Sequence, residues 1–305
     1  MIVRTPVKRI PMKIRNPIYK EYCDCWNMQI YSIDGMPHLI MGDNLSTEEM
    51  QDFLDTVDYC VGFYFSQPIN KCRDKVMLVI DKGLPVTIRT KTVLPTDILE
   101  ALRKVPHSAI HVSIDFLDDF PRKRLEPNSS DIFAFREMMF LAKSWKIFLV
   151  LCIDYKPHLV PKLDVYEIVD MTKNYISHTL VRFPAIPDEE FYNVKYQWES
   201  IKPSSIELFK QYYMPNVPDR TWEIRPKYEK IFTNELFEYL RCRKIDMEVV
   251  KGHHSSNRIR HIMSGLSELP LGMKPFFYKK VNGVFKETEM TPDQRCQKCG
   301  KSIFA

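Results

Sequence analysis

Glycine is scarce in this chain, with nine residues in 305, where globular proteins average about 7%. Turns that cradle phosphate need glycine wherever backbone must approach an anion. No G-x-G-x-x-G occurs. The terminal Cys-Gly-Lys-Ser imitates the end of a P-loop, but Arg295 stands where the first glycine belongs and no strand pattern precedes it. Dinucleotide-fold and P-loop chemistry are therefore set aside. G-x-S-x-G is missing as well. His111, Ser113 and Asp115 stand at alternate positions and so share one face of a strand, where they do not bend into a nucleophile–base pair. Serine-hydrolase chemistry is set aside with it.

Long apolar runs are also missing. No stretch of about 18 apolar residues is present, so no membrane span is expected. The basic N-terminal stretch is followed by no continuous apolar segment, so no secretory signal is expected. The expectation is a cytoplasmic protein (host cytoplasm if viral) whose eight cysteines stay reduced. What the chain does have is enough apolar sequence, 45%, for a sizeable core. Its net charge is +5. Much of the excess sits in Arg4, Lys8, Arg9, Lys13, Arg15 and Lys20, a solvated basic arm compatible with a nucleic-acid partner. Few glycines beside abundant Lys, Ile, Tyr and Phe hint at an AT-rich source such as a virus or phage.

Between the polar segments a rhythm appears. Residues 61–65, 86–90, 109–114, 147–153 and 178–183 are short β-branched or aromatic runs, each reading as a buried strand. Helical patterns fill the gaps. Ser46 with Glu49 forms a capping box, and Gly83 stands where a helix ends before Leu84-Pro85. Further helices are expected after Thr96, from Ser129 or Ser130, and over 163–176. The strand starts lie 25, 23, 38 and 31 residues apart, the spacing of βα units. Such units build parallel sheets. The fold class expected is α/β: a partial or full parallel (β/α) barrel of about six units with a mostly helical C-terminal extension. Residues 1–184 are read as the barrel with its basic arm, and 185–305 as a helical cover with a C-x-x-C tail. Phe191, Tyr192, Tyr196 and Trp198 are expected to pack as that cover, with a stacking platform for a base or sugar as the alternative.

Three segments in order carry a resemblance. They are "FSQPINKCRDKVMLVIDKGLPVTIRTKT" (65–92), "HVSIDFLDDFPRKRLEP" (111–127), and Arg136 just beyond that "LEP". Together with "WKIFLVLCIDYKPHLVP" they resemble the radical S-adenosylmethionine enzymes, in particular the spore photoproduct lyase-like branch. The match spans roughly residues 11–184. The resemblance implies a 4Fe–4S cluster held by C-x-x-x-C-x-x-C on a loop after the first strand, with S-adenosylmethionine chelating the fourth iron. Thiolates are the ligands that hold such clusters. It also implies that Lys91 meets the carboxylate of S-adenosylmethionine. Ser113 and Asp115 would contact its ribose, and Arg136 would help hold it. Strand carboxyl ends are where βα barrels place their sites. Gln67 stands where an aspartate is common in the branch.

The cysteines depart from that pattern. The expected loop is "RNPIYKEYCDCWN", where Cys25-Trp26 fits the last thiol and its aromatic. Counting back places Tyr22 and Ile18 where the other thiols belong, and Cys23 is one residue out of phase. Cys60, Cys72, Cys152 and Cys242 lie in or beside apolar patterns and read as packing residues. Cys296 and Cys299 form half of a zinc site. The other half is open between Cys23 with Cys25 and the histidines His253, His254 and His261; alternatively Cys23 and Cys25 with one tail thiol rebuild a three-cysteine cluster site, or the tail simply carries two free thiols. Two functions stand. One is a radical-SAM-like enzyme with a non-standard or lost cluster, acting on a nucleic acid or modified base. The other is a non-catalytic, zinc-stabilised nucleic-acid-binding module on a degenerate barrel.

Overall fold

The computed structural model describes the backbone of residues 14–15, 18–23, 28–33, 36–176, 178–250 and 277–288, and side chains within 39–176, 178–245 and 277–288. The chain begins with β1 (Ile14–Arg15), β2 (Ile18–Cys23), β3 (Met28–Ile33) and β4 (Met36–Met41). Helix α1 (Thr47–Thr56) leads through β5 (Tyr59–Cys60) to β6 (Gly62–Phe65). Then follow α2 (Ile69–Asp81), β7 (Val86–Thr90), α3 (Thr96–Leu102) and β8 (Ala109–Ser113). Two helices, α4 (Asp119–Leu125) and α5 (Ile132–Ser144), precede β9 (Phe148–Asp154), and α6 (Lys162–Thr172) precedes β10 (His178–Arg182).

Among the described residues one sheet has the order β2-β3-β4-β6-β7-β8-β9-β10 and then, beyond β10, β14 (Asp246–Val250) and β1. Pairing is parallel from β4 to β1 and antiparallel across β2, β3 and β4. This is the expected α/β architecture, a partial parallel barrel with its edges at β1 and β2. Strand alternation divides the sheet. Phe63, Phe65, Val86, Ile88, Ile110, Val112, Leu149, Leu151 and Val181 pack in one core with the helices. The other face carries Tyr64, Arg89, His111, Ser113, Val150, Cys152 and Leu180, and it is buried too.

The strand runs and caps stand where the local signals put them. Ser46 Oγ accepts from Glu49 N at 3.1 Å and Glu49 answers Ser46 N at 2.7 Å, closing the capping box of α1. Gly83 ends α2 with φ +81°, and a Cβ there would lie 2.7 Å from Phe285 O. Other readings shift. Helix α5 is capped by Asp131, whose side chain accepts from Ala134 N at 2.9 Å, and not by Ser129 or Ser130. The Ser130 hydroxyl is instead taken by Val93 N. Strands β2, β3, β4 and β14 escaped the periodicity, because their pairing partners, not their own pattern, define them.

Beyond β10 come β11 (Ile186–Pro187), α7 (Asp188–Ile201), α8 (Ser205–Tyr212), β12 (Tyr213–Asn216), β13 (Thr221–Ile224) and α9 (Pro226–Arg241). Phe191 stacks on Phe209 at 4.7 Å, and Trp198 lies 5.4 Å from Phe209. Of the four aromatics expected to cover the barrel only Phe191 and Trp198 do so. Tyr192 and Tyr196 are exposed, because positions one and five after a buried helical residue turn away from its face. The hairpin of β15 (Phe277–Val281) and β16 (Val284–Thr288) pairs through β15 with β5. Among the described residues no helix is long and apolar enough to cross a membrane.

Candidate functional site

Charged side chains gather at the carboxyl ends of β7, β8, β9 and β10. The register explains why. Arg89 pairs with His111, Ser113 with Cys152, and Asp154 with Arg182. Arg89, Ser113, Asp154 and Arg182 therefore project from the same face of neighbouring strands. Arg89 Nη2 donates to Ser113 Oγ at 3.2 Å and to Asp154 Oδ2 at 3.1 Å. Arg182 grips Asp154 with two donors, Nε to Oδ1 at 3.0 Å and Nη2 to Oδ2 at 2.5 Å. Burial opposes the Asp154 charge, yet Arg182 and then Arg89 outweigh it and hold this carboxyl well below the usual range.

A second group lies just beyond. Lys91 Nζ donates to Asp115 Oδ2 at 2.8 Å and to Glu126 Oε1, and Lys156 Nζ stands 4.0 Å from Asp115. Asp154 N donates to Asp115 Oδ1 at 3.1 Å, which joins the two groups. Burial again opposes ionisation of Asp115, and Lys91 leads the groups that keep it low. Glu126 goes the other way. Burial first, and then the Asp115 carboxylate, push it up to about 7, against the pull of Lys91 and Lys156. Burial also opposes the Lys91 charge, but Asp115 and Glu126 prevail and keep the ammonium protonated. Four cations (Arg89, Lys91, Lys156 and Arg182) thus face three carboxyl groups (Asp115, Glu126 and Asp154). The cluster has an excess positive charge suited to an anionic group, and one carboxyl that titrates near neutrality.

The sequence-predicted residues divide accordingly. Lys91, Ser113 and Asp115 come together, although the Ser113 hydroxyl is buried on Arg89 and Asp115 is only 3% exposed. Arg136 does not join them. It lies on α5 with its Nε buried, and it makes no hydrogen bond or ion pair with the cluster among the described residues. Sequence reasoning missed Arg89, Glu126, Asp154, Lys156 and Arg182. Glu126 belongs to the quoted "LEP", and Asp154 directly follows a predicted strand, so position carried a signal for both. Asp118 and Asp119 are exposed at the start of α4. Asp118 accepts from Phe120 N and Asp119 pairs with Arg122 and Lys123.

The expected cluster loop is not a loop over residues 18–23. These form β2, antiparallel to β3 at the sheet edge, and Cys23 is its last residue. Backbone pairing with β3 overrides the loop reading. Cys25, Cys296, Cys299, His253, His254 and His261 lie outside the described residues, as does the Cys23 side chain. The parallel strand that precedes β6 in the chain and pairs with it is β4, and the turn at its carboxyl end, residues 42–46, holds no cysteine. That turn is locked by other means. Lys75 Nζ donates to the carbonyl oxygens of Gly42, Asp43 and Leu45 at 3.2, 3.4 and 3.0 Å. Asp43 accepts from Ser66 N at 2.8 Å and Ser66 Oγ at 2.6 Å. A Cβ on Gly42 would lie 2.3 Å from the Phe65 ring, so the turn is pressed against β6.

Among the described residues this turn offers no thiolate for an iron–sulfur cluster, which needs converging thiolates. Cys60, Cys72 and Cys152 are buried, and burial pushes the Cys72 thiol up to about 11. Cys242, expected to pack, is exposed at the end of α9, where the helix terminus leaves its face uncovered. Among the described residues no group of three His, Cys, Asp or Glu side chains could hold a metal ion.

No protein-family model matches the chain, and no curated protein matches it. Among solved structures it is similar to spore photoproduct lyase complexed with dinucleoside spore photoproduct, with a TM-score of 0.48 at 11% identity. A double mutant of that lyase, with bound AdoMet and dinucleoside spore photoproduct, gives the same values. In both cases the similarity covers 68% of this chain and 66% of the lyase chain. The similarity to Streptococcus suis SuiB bound to S-adenosylmethionine has a TM-score of 0.40 at 14% identity, over 64% of this chain and 40% of SuiB.

Proposed function

We propose that this chain is a βα barrel that binds S-adenosylmethionine, or a near relative of it, at the carboxyl ends of β7 to β10. The observation that carries this reading is the ammonium of Lys91. It is 38% exposed on its side chain and is aimed by the buried Asp115 beside it, at the strand ends where such barrels place ligands. In this role Lys91 holds the ligand carboxylate. Asp115 positions Lys91, and Ser113 positions Arg89 above the Asp154–Arg182 pair. Binding, rather than reductive cleavage, is the activity proposed. The turn after β4 supplies no thiolate, so a cluster would have to be assembled from Cys23, Cys25 and the tail cysteines. A nucleic-acid target, suggested by the basic arm, belongs to the same proposal, and retardation of a labelled oligonucleotide checks it.

The test is calorimetric titration of anaerobically purified protein with S-adenosylmethionine, beside Lys91→Met. Saturable binding that weakens at least tenfold in Lys91→Met is expected. Equal binding by both proteins, or none by the wild type, overturns the reading. Iron, sulfide and zinc are measured on the same samples with Cys23→Ala, Cys25→Ala and Cys296→Ala. Zinc lost with Cys296, and no iron after reconstitution, supports a binding protein. Near-stoichiometric iron and sulfide, lost with Cys23 or Cys25, would instead make it a radical enzyme with an unusual cluster site.

A further inference from the structure

Glu126 is brought to Lys91 by backbone. It follows α4, and Ser129 N donates to its carbonyl at 2.9 Å. Ser130 N donates to Lys91 O at 2.9 Å, and Val93 N to Ser130 Oγ at 3.0 Å. The connection from α4 to α5 is thereby sewn to the end of β7. The two carboxylates on Lys91 are not equivalent. Asp115 is 1% exposed on its side chain and is held as well by Asp154 N and Lys156. Glu126 is the more accessible of the two, 13% exposed, and it sits on a longer side chain.

We propose that Glu126 is an internal competitor for Lys91: an arriving ligand carboxylate or phosphate takes its place on the ammonium, and Glu126, staying beside Asp115, gives up Lys91 as the neutral acid after taking one proton from solvent. The proposal rests on reading these strand ends as the ligand site, and it adds a proton-linked gate to that reading. Charge dictates the coupling. A third anion at Lys91 would face Asp115 and Glu126 at close range, and neutralising Glu126 removes one of the two repulsions. The groups facing Glu126 are Lys91 at the end of β7, Asp115 beyond β8 and Lys156 beyond β9. Asp115 is held ionised by Lys91, so Glu126 is the group that yields. Because Glu126 titrates at about 7, its neutral form falls from about nine-tenths at pH 6 to about one-tenth at pH 8. A ligand that needs the neutral form loses affinity in proportion, about tenfold across that range.

The experiment compares wild type with Glu126→Gln, titrating S-adenosylmethionine, inorganic phosphate and acetate at pH 6, 7 and 8. Each titration at pH 7 is repeated in two buffers of different ionisation enthalpy. With acetate, whose charge is nearly constant from pH 6 to pH 8, wild type is expected to bind about tenfold more weakly at pH 8 than at pH 6, and to take up close to half a proton per ligand at pH 7. Glu126→Gln is expected to bind acetate with the same affinity at all three pH values and without proton uptake, and to keep with S-adenosylmethionine and phosphate only the pH dependence of the ligand's own amine or phosphate group. If S-adenosylmethionine does not bind but phosphate or acetate shows this pattern, the gate stands and the cosubstrate reading alone falls. pH-independent binding without proton uptake in wild type, or a pH profile unchanged in Glu126→Gln, overturns the gate. Should the variant fail to fold, wild-type proton uptake with acetate in the paired buffers decides.

Discussion

At the scale of the residue, Asp154 is the anchor of the site. Its carboxylate answers two guanidinium groups, and all three side chains are less than one-fifth exposed. Removing one partner from a buried ion cluster leaves uncompensated charge. Asp154→Asn is therefore expected to cost about 3–5 kcal/mol in urea unfolding, and a loss below 1 kcal/mol would show that solvent screens the arginines. The pH dependence has a worked sign. Asp154 is depressed in the folded state, so its contribution is present above the unfolded carboxyl range and is lost as pH falls through the lower folded value. Glu126 is raised from 4.5 to about 7, so between those values the folded state holds a proton that the unfolded state lacks. Its effect is a fall in stability as pH rises across that window, which Glu126→Gln removes.

At the scale of the element, the segment after β9 carries a different titrating group. His158 is fully buried, with Trp198, Phe209 and Tyr213 rings at 4.5, 5.1 and 5.3 Å. Neither of its nitrogens has a hydrogen-bond partner among the described residues. Burial first, and then Lys156 and Lys202, hold it well below its ordinary 6.5. The packing of α7, α8 and β12 around it thus favours the neutral ring. Its contribution is intact above pH 6.5 and is lost as pH falls below that value, opposite in sign to that of Glu126. His158→Phe keeps the ring contacts and removes two unpaired polar atoms. Urea unfolding at pH 7 and pH 5 is expected to show no loss at pH 7 and a smaller acid penalty than wild type. A loss of more than about 2 kcal/mol at pH 7, the size of an unmet buried hydrogen bond, would mean that a partner for the imidazole had been removed.

At the scale of the whole molecule, the barrel, the helices and the C-terminal hairpin share one core. Phe277, Tyr278 and Phe285 are each under 5% exposed and belong to the same apolar cluster as α1 and α2. The hairpin is also fixed by backbone bonds from Lys280 N to Asp58 O and from Phe285 N to Lys82 O, each 2.7 Å. Phe285→Ala is expected to cost about 3–5 kcal/mol, as for a fully buried aromatic. Tryptophan fluorescence and far-ultraviolet circular dichroism should report one shared urea transition. Two separated transitions would show that the hairpin and the barrel fold independently.

The strand–helix alternation, the capping box of α1 and the glycine end of α2 were legible in the sequence, because each depends on residues a few positions apart. So was the location of Lys91, Ser113 and Asp115 at strand ends, since strand termini follow from the same periodicity. The composition of the charged cluster was not legible. Lys91 meets Glu126 across 35 residues and Arg89 meets Asp154 across 65. Those distances close only when parallel strands fall into register. Strands β2 and β4 were hidden for the same reason: β3 pairs with both of them. The sequence by itself determined the alternating elements and the kinds of charge at their ends. Only the tertiary structure decided which charges meet, because ion pairing between strands is fixed by register, and register is a property of the assembled sheet.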